Sequence, residues 1–331
     1  MSLRITATVE RWPVAGQFII ARGAKTFVDV LVVAVSNGAQ IGYGEGTAIY
    51  YQGETAESCL GQLAQIIDRL EPLCVVDARA LVQTLLQPGA ARNAIDCALW
   101  DLEAKASGKP LWKLVGLKTA PKPLQTAFTI SLGEASAMEA DAARAATNGY
   151  GLLKLKLTGE GDRDRVAAVR IGAPDARLIV DANESWGDLD IAAEATALAD
   201  MGVEMIEQPV AAGQDAMLAA GESPLPILAD ESCHEAVDVA RLALYYDGVN
   251  IKLDKAGGLT QALKIADAAK DVGMKTMVGC MLSTSLGIGP AFLVAQYADW
   301  VDLDGPALLA EDRPDGFSFA DGTIIPPAIL L

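Results

Sequence analysis

The sequence predicts an α/β chain: a closed parallel barrel preceded by an α+β domain. Three observations predict it. Residues 3–48 alternate like an antiparallel meander, and residues 55–107 then change to helical spacing. From about residue 125, apolar runs alternate with amphipathic stretches, giving strand candidates at 125–131, 151–157, 177–181, 203–207, 226–230, 248–252, 275–279 and 299–304. Finally, those runs repeatedly end in a charged residue, where a barrel enzyme keeps its chemistry. An open doubly wound sheet is the alternative, but no Gly-rich fingerprint opens the first strand-to-helix turn.

Taken in order, Ile5–Val9 and Phe27–Val35 read as strands, Ser36-Asn37-Gly38 as a hairpin signal, and Ile41–Glu45 as a third strand. Segments 13–25 and 46–53 lack a regular period and are expected as loops that carry specificity. Leu60, Leu63, Ile66, Ile67 and Leu70 share a helical face, and Ala91–Ala106 forms a second helix that Gly108-Lys-Pro ends. The first domain therefore spans 1–118, and Lys118–Pro123 is the linker. The barrel occupies 124–304, with helices at 134–147, 162–172, 188–200, 235–244 and 259–272. Residues 305–331 have no clear period and are expected to pack back on the first domain.

A net charge of −17 over 331 residues argues against nucleic acid as a partner, because phosphates need Lys and Arg to neutralise them. Five scattered cysteines (59, 74, 97, 233, 280) without a CxxC pair suit a reducing compartment rather than a disulfide framework or a zinc site. No signal-peptide pattern and no membrane-length apolar run is present, so no membrane partner and a cytoplasmic location are expected.

The chemistry lies in a row of charges. Asp181, Glu207 and Asp230 close three successive apolar runs, and with Lys156 and Lys252 they recur every 22 to 26 residues. Burying an isolated ion is costly, so charges at the ends of apolar runs imply partners. Three carboxylates converging on a barrel mouth suit a hard cation, Mg²⁺ before Ca²⁺, with room left for water. For one acid alone, helix capping would be the simpler account. Lys154 and Lys156 are two apart and share the interior face. At about 7 Å their repulsion is about 2 kcal/mol at an effective dielectric near 20, enough to make one a base near neutral pH unless both serve only as counter-ions.

Lys252 faces Lys156 across the mouth. Two bases on opposite faces of one carbon permit a 1,1-proton transfer through an enediolate. Schiff-base chemistry is the rival use of a barrel lysine. Asp302 and Asp304 again share a face and suit a substrate ammonium, although Asp304-Gly305 also reads as a turn.

In order along the chain, Lys154-x-Lys156, Asp181-Ala-Asn183, Glu207-Gln-Pro209, Asp230-Glu-Ser232, Lys252-Leu-Asp-Lys-Ala-Gly-Gly258 and Asp302-Leu-Asp304-Gly-Pro306 resemble the enolase superfamily, muconate-lactonising subgroup, and within it the dipeptide epimerases. The resemblance covers essentially the whole chain. It implies a (β/α)7β modified TIM barrel with a capping domain, and Mg²⁺ on Asp181, Glu207 and Asp230. It further implies Lys156 and Lys252 as paired acid/base catalysts, Lys154 helping to hold the substrate carboxylate, and Asp302 and Asp304 on the α-ammonium of a dipeptide. Arg22 resembles the arginine that pairs with a glutamate side chain in Ala-Glu epimerases, while a solvated loop cation is its simpler account.

Relatives imply a homo-oligomer. His234 is read as structural. Many subgroup members carry a Glu after the seventh strand, where this chain has Gly279–Ser285, which makes a cycloisomerase less favoured. N-acylamino acid racemase, o-succinylbenzoate synthase and a non-catalytic binding protein on the same fold stay open as alternatives.

Overall fold

In the computed structural model, which describes residues 2–20, 23–218 and 223–328, the N-terminal alternation becomes an antiparallel sheet. Its strands β1 (Arg4–Ile20), β2 (Gly23–Ser36) and β3 (Ile41–Thr47) pair in that order. The segment 13–25, expected as a loop, is mostly paired. After a register shift between Pro13 and Phe18, Phe18 meets Lys25, Ile19 meets Ala24 and Ile20 meets Gly23. Aromatic and β-branched residues favour the extended arm, and the irregularity conceals their alternation. Arg22 lies outside the described residues. Segment 46–53 completes β3 and continues as a 3-10 turn at Tyr50–Gln52.

Gly42, Gly44 and Gly46 alternate on one face of β3, where the cap helix Ala90–Ser107 packs. A Cβ on any of them would lie 2.2 Å from the carbonyl oxygen of Ala98, Ala94 or Ala90 respectively. The strand backbone therefore rests directly on the alanine face of the helix. Between these glycines, Glu45 points the other way and is buried. Its carboxylate accepts from Thr284 N at 2.7 Å and from Arg313 Nη2 at 3.0 Å, tying the cap to the segment after the seventh barrel strand.

After β4 (Leu124–Gln125) the eight strands β5 (Phe128–Ile130), β6 (Leu152–Lys156), β7 (Arg177–Asp181), β8 (Val203–Glu207), β9 (Ile227–Ala229), β10 (Gly248–Lys252), β11 (Lys275–Gly279) and β12 (Trp300–Asp302) form one parallel sheet in chain order. Ala127 N donates to Val301 O at 2.8 Å, which brings the two ends of the sheet together. Helices between the strands cover the outside, so this is the expected TIM-type barrel with a capping unit.

Its interior is layered. Ala127, Leu152, Ile179, Met205, Leu228, Met277 and Trp300 form a separate apolar floor. Two residues further along their strands, on the same face, come Thr129, Lys154, Asp181, Glu207, Asp230, Gly279 and Asp302. Leu153 and Leu155 point outward into the helix-covered core. The period of two thus turns an apolar floor into a polar site one layer up.

The tail departs from expectation. Ala310 N donates to Pro13 O at 2.9 Å and Arg313 Nη2 reaches Glu10 at 2.7 Å, so its first part does pack on the cap. Its later part forms β13 (Ser318–Ala320) and β14 (Thr323–Ile325), which pair with β4 at the start of the barrel. Asp321 and Gly322, both with positive φ, make the hairpin turn, and Ile324 is buried in the barrel core.

The seam between cap and barrel contains buried acids. Asp254 accepts from Thr47 N and from Asn93 Nδ2, each at 2.8 Å. Burial, then Glu45 and Glu54, push its carboxyl up to about 7 against those two hydrogen bonds. A folded-state value raised above the unfolded one adds stability below about pH 4 that is lost as pH rises through about 7. We expect Asp254→Asn, which keeps an acceptor oxygen and removes the charge, to raise the melting temperature by a few degrees at pH 8 and by less at pH 5.5. An equal shift at both pH values would contradict this. Among the described residues no helix is long and apolar enough to cross a membrane, and all five cysteines are free thiols.

Candidate active site

The alternation of β6 sends Lys154 and Lys156 into the barrel, and the ends of β7 and β8 and the residue after β9 supply the acids. One carboxylate oxygen each from Asp181, Glu207 and Asp230 lies within 4.8 Å of the others, and all three residues are buried. Lys156 Nζ donates to Asp181 Oδ2 at 2.6 Å, and Lys252 Nζ to Asp230 Oδ2 at 2.5 Å. Lys154 Nζ lies 2.6 Å from Glu207 Oε2 and donates to Asp302 Oδ2 at 2.9 Å. β6 and β10 are four strands apart in an eight-stranded ring, which places Lys156 and Lys252 on opposite sides of the mouth. Both line one cavity of about 150 Å³ with Asp302, Asp304, Asn183 and the cap residues Phe18, Lys25, Tyr50 and Tyr51.

The acids, rather than the mutual repulsion of the lysines, dominate the electrostatics. Burial alone would lower Lys154, but Asp302, Glu207, Asp181 and Asp230 hold its ammonium well above the ordinary lysine value. Lys252 is likewise desolvated, yet Asp230 and Glu207 raise it well above that value. At Lys154 the lowering expected from lysine–lysine repulsion is therefore reversed. Burial works against the charge on Asp181, but Lys156, Lys154 and Lys252 outweigh it and bring its carboxyl to about 2. Glu207 goes the other way, to about 7, through burial and then the repulsion of Asp181 and Asp230.

This donor set fits a hard cation. Glu207 Oε2 and Asp230 Oδ1 are buried and make no hydrogen bond, with only ammonium groups close by. Carboxylate oxygens with unused lone pairs, converging from three strands, are what a small divalent ion takes up.

Asp302 and Asp304 lie on the same wall. Asp302 Oδ1 is buried without a hydrogen bond, and Asp304 Oδ2 accepts from Thr129 N at 2.7 Å. Burial and then Asp302 raise the Asp304 carboxyl to about 7, so the pair is short of a cation. His234 sits apart, its Nε2 2.9 Å from Glu231 O and 3.2 Å from Gln52 Nε2.

Three supporting residues escaped the sequence reading. Lys255 Nζ contacts the Asp230 carboxylate and its carbonyl oxygen, and donates to Asn250 O at 3.2 Å. Asn250 Nδ2 donates to Glu207 Oε1 at 2.7 Å. Gln208, at φ 37°, accepts from Asp230 N at 2.7 Å. Asn250 lies two before Lys252 on one strand face, and that spacing was the available signal. Lys25, half-buried in the cavity wall, was missed as well.

The two units match known families in the same order. Residues 3–116 match the family described as mandelate racemase / muconate lactonizing enzyme, N-terminal domain, and residues 137–329 match the one described as enolase C-terminal domain-like. The chain belongs to the mandelate racemase / muconate lactonizing enzyme family of the enolase superfamily. Within that family it is 42% identical over 315 residues to the L-Ala-D/L-Glu epimerase of Escherichia coli (strain K12), covering 95% of this chain and 97% of the relative. It is 39% identical over 297 residues to the N-acetyl-D-glutamate racemase of a Pseudoalteromonas species, covering 90% and 93%.

Among solved structures, it resembles an enolase family member from Agrobacterium tumefaciens with homology to dipeptide epimerases, with sodium and L-Ala-L-Glu bound and an ordered loop. The TM-score is 0.94 at 46% identity, covering 99% of this chain and 98% of that one. This member of the mandelate racemase / muconate lactonizing enzyme family is thus an isomerase of the epimerase and racemase class, with an acidic metal-binding triad.

Proposed function

We propose that the chain is a Mg²⁺-dependent dipeptide epimerase that inverts the α-carbon of the C-terminal residue, with L-Ala-D/L-Glu as its substrate pair. The observation that carries this reading is the placement of Lys156 and Lys252 on opposite sides of one cavity, over three converging carboxylates. Asp181, Glu207 and Asp230 would hold the metal. Bound there, the cation supplies positive charge that stabilises the negative charge developing on the substrate carboxylate.

One of Lys156 and Lys252, as the neutral amine, removes the α-proton, and the C–H electron pair moves into the carboxylate as an enediolate. The other, as ammonium, delivers a proton to the opposite face, and the configuration inverts. Lys154, between Glu207 and Asp302, places a further positive charge beside the substrate carboxylate. Asp302 and Asp304 take the α-ammonium.

Proton NMR in deuterated water, with Mg²⁺ and a dipeptide library, tests this. Solvent deuterium should enter the α-position of the C-terminal residue as the two diastereomers interconvert. Metal-dependent binding without exchange would make the chain a binding protein instead.

The likeness to an N-acetyl-D-glutamate racemase favours a second reading, in which the substrate is an N-acylamino acid. An acetyl group brings no ammonium to Asp302 and Asp304, two buried carboxylates with one neighbouring lysine, Lys154, between them, and this supports the dipeptide. Faster turnover of N-acetylglutamate than of L-Ala-L-Glu would reverse the choice.

Arg22 would pair with the glutamate side chain, as a guanidinium matches a carboxylate in two parallel hydrogen bonds. Arg22→Ala should raise KM for L-Ala-L-Glu about tenfold with a smaller change in kcat. Equal turnover of cationic or apolar dipeptides would refute the Glu preference. The free thiols support a cytoplasmic enzyme.

A further inference from the structure

Gln208 ties the segments of all three carboxylates together from behind. It follows Glu207 in the chain, and its carbonyl oxygen accepts from Glu184 N, in the turn after Asp181, at 2.8 Å. Its side-chain oxygen accepts from Asp230 N at 2.7 Å and from Ser232 N at 3.2 Å. A φ of 37° is left-handed backbone that a residue ahead of a proline seldom adopts, so its surroundings must hold it there. The two backbone N–H groups settle which way its amide points, because only the oxygen can face them. The nitrogen faces the other way, and its two N–H groups are shared among Val210 O at 2.8 Å, Ser232 Oγ at 3.0 Å and the Tyr246 hydroxyl at 3.0 Å.

Asp215 decides how those hydroxyls turn. It is buried in the 3-10 turn Asp215–Leu218 that follows β8. Ser232 Oγ donates to its Oδ1 at 2.6 Å, and the Tyr246 hydroxyl donates to the same oxygen at 2.9 Å. Arg241, on the helix Ala236–Leu242, donates from Nη1 to Oδ2 at 2.6 Å. Burial works against the charge on Asp215, but the hydrogen bonds from Ser232, Arg241 and Tyr246 outweigh it and hold its carboxyl below the ordinary value. An ionised carboxylate only accepts. Both hydroxyl protons therefore turn to Asp215, and both hydroxyl oxygens keep lone pairs for Gln208. None of these residues lines the substrate cavity, so their influence reaches the triad only through Gln208 and the backbone.

We propose that Asp215 and Tyr246 are positioning residues that set the affinity of the triad for its metal, by fixing the Gln208 amide that holds Asp230 in place. The inference rests on the metal-binding reading of Asp181, Glu207 and Asp230. Asp215→Asn reverses the network: Arg241 keeps the new amide nitrogen away from itself and turns it toward the hydroxyls. Those then donate to Gln208 instead of accepting from it, and the hold on Asp230 N is lost. Tyr246→Phe removes one of the three acceptors and leaves the others.

The test is a calorimetric titration of the folded protein with Mg²⁺ alone, with a melting curve in chelator for each variant. Groups that orient metal ligands from behind are worth about 10- to 100-fold in metal affinity. Tyr246→Phe should raise the Mg²⁺ dissociation constant about tenfold and Asp215→Asn about fiftyfold, while kcat at saturating Mg²⁺ stays within about threefold of wild type. The control is Trp100→Phe, which deletes the hydrogen bond from Trp100 Nε1 to Thr260 Oγ1 at the seam between cap and barrel. It should lower the melting temperature without moving the dissociation constant. Tyr246→Phe alone decides the matter if Asp215→Asn does not fold. A Tyr246→Phe protein that only melts earlier, with a dissociation constant within about twofold of wild type, would overturn the positioning role and leave the triad standing. A wild type that takes up no Mg²⁺ would overturn both.

Discussion

Lys156→Ala and Lys252→Ala should each lower epimerisation by about a thousandfold, in different ways. Each lysine ends a strand on its own side of the ring, and each is held by a different acid: Asp181 for Lys156 and Asp230 for Lys252. Removing one base leaves the other able to take a proton from one face and to return a deuteron to that same face. One variant should therefore exchange the α-proton of the L,L diastereomer only, and the other that of the L,D diastereomer only, without inversion. Proton NMR in deuterated water with each pure diastereomer reads this directly. If both variants exchanged the same diastereomer, or if either still inverted it, the two-base arrangement would be wrong. Each variant also leaves a buried carboxylate short of a cation, so a melting curve with saturating Mg²⁺ should accompany the kinetics.

The strands were legible because their periodicity is local. In β6, Leu152, Lys154 and Lys156 alternate with Leu153 and Leu155, and a period of two assigns the lysines to the interior before any contact is known. The acids were legible for a related reason, since each ends an apolar run and a buried charge needs a partner. Residues whose role depends on contacts distant in sequence could not be read this way. Lys255 gains its role only because the short helix Leu253–Ala256 turns it back onto Asp230, 25 positions away in sequence. Lys25 looked like part of an irregular loop because the bulge between Pro13 and Phe18 breaks the alternation that pairs it with Phe18.

At Lys154, spacing alone points the wrong way. Two ammonium groups repel, but Lys154 meets four acids that arrive from four other strands. In the tail, Asp321-Gly322 is a hairpin signal that the missing periodicity around it obscured.

Chelation of divalent metal should abolish exchange, by about a thousandfold or more, and added Mg²⁺ should restore it. The same ion should stabilise the fold, by about 2.7 kcal/mol at a hundred times its dissociation constant, because only the folded barrel brings Asp181, Glu207 and Asp230 together. The pH dependence supplies the stricter check. Without metal, the raised Glu207 and Asp304 carboxyls, each about 7, add stability that is complete below about pH 4 and lost as pH rises through 7. Asp181, lowered to about 2, has the opposite sign, but its contribution is lost only as pH falls through that value, outside a window of pH 5 to 8.

His234, lowered by burial, works against the trend below about pH 6.5, as one group against several carboxyls. In chelator, the melting temperature should therefore climb as pH falls from 8 to 6. With Mg²⁺ the increment it adds should shrink over the same range, because a proton on Glu207 cancels the negative charge that holds the ion and must be displaced for it to bind. A metal increment independent of pH between 6 and 8 would show that Glu207 is not among the ligands, and would move the metal away from the three acids on which the two-lysine chemistry depends.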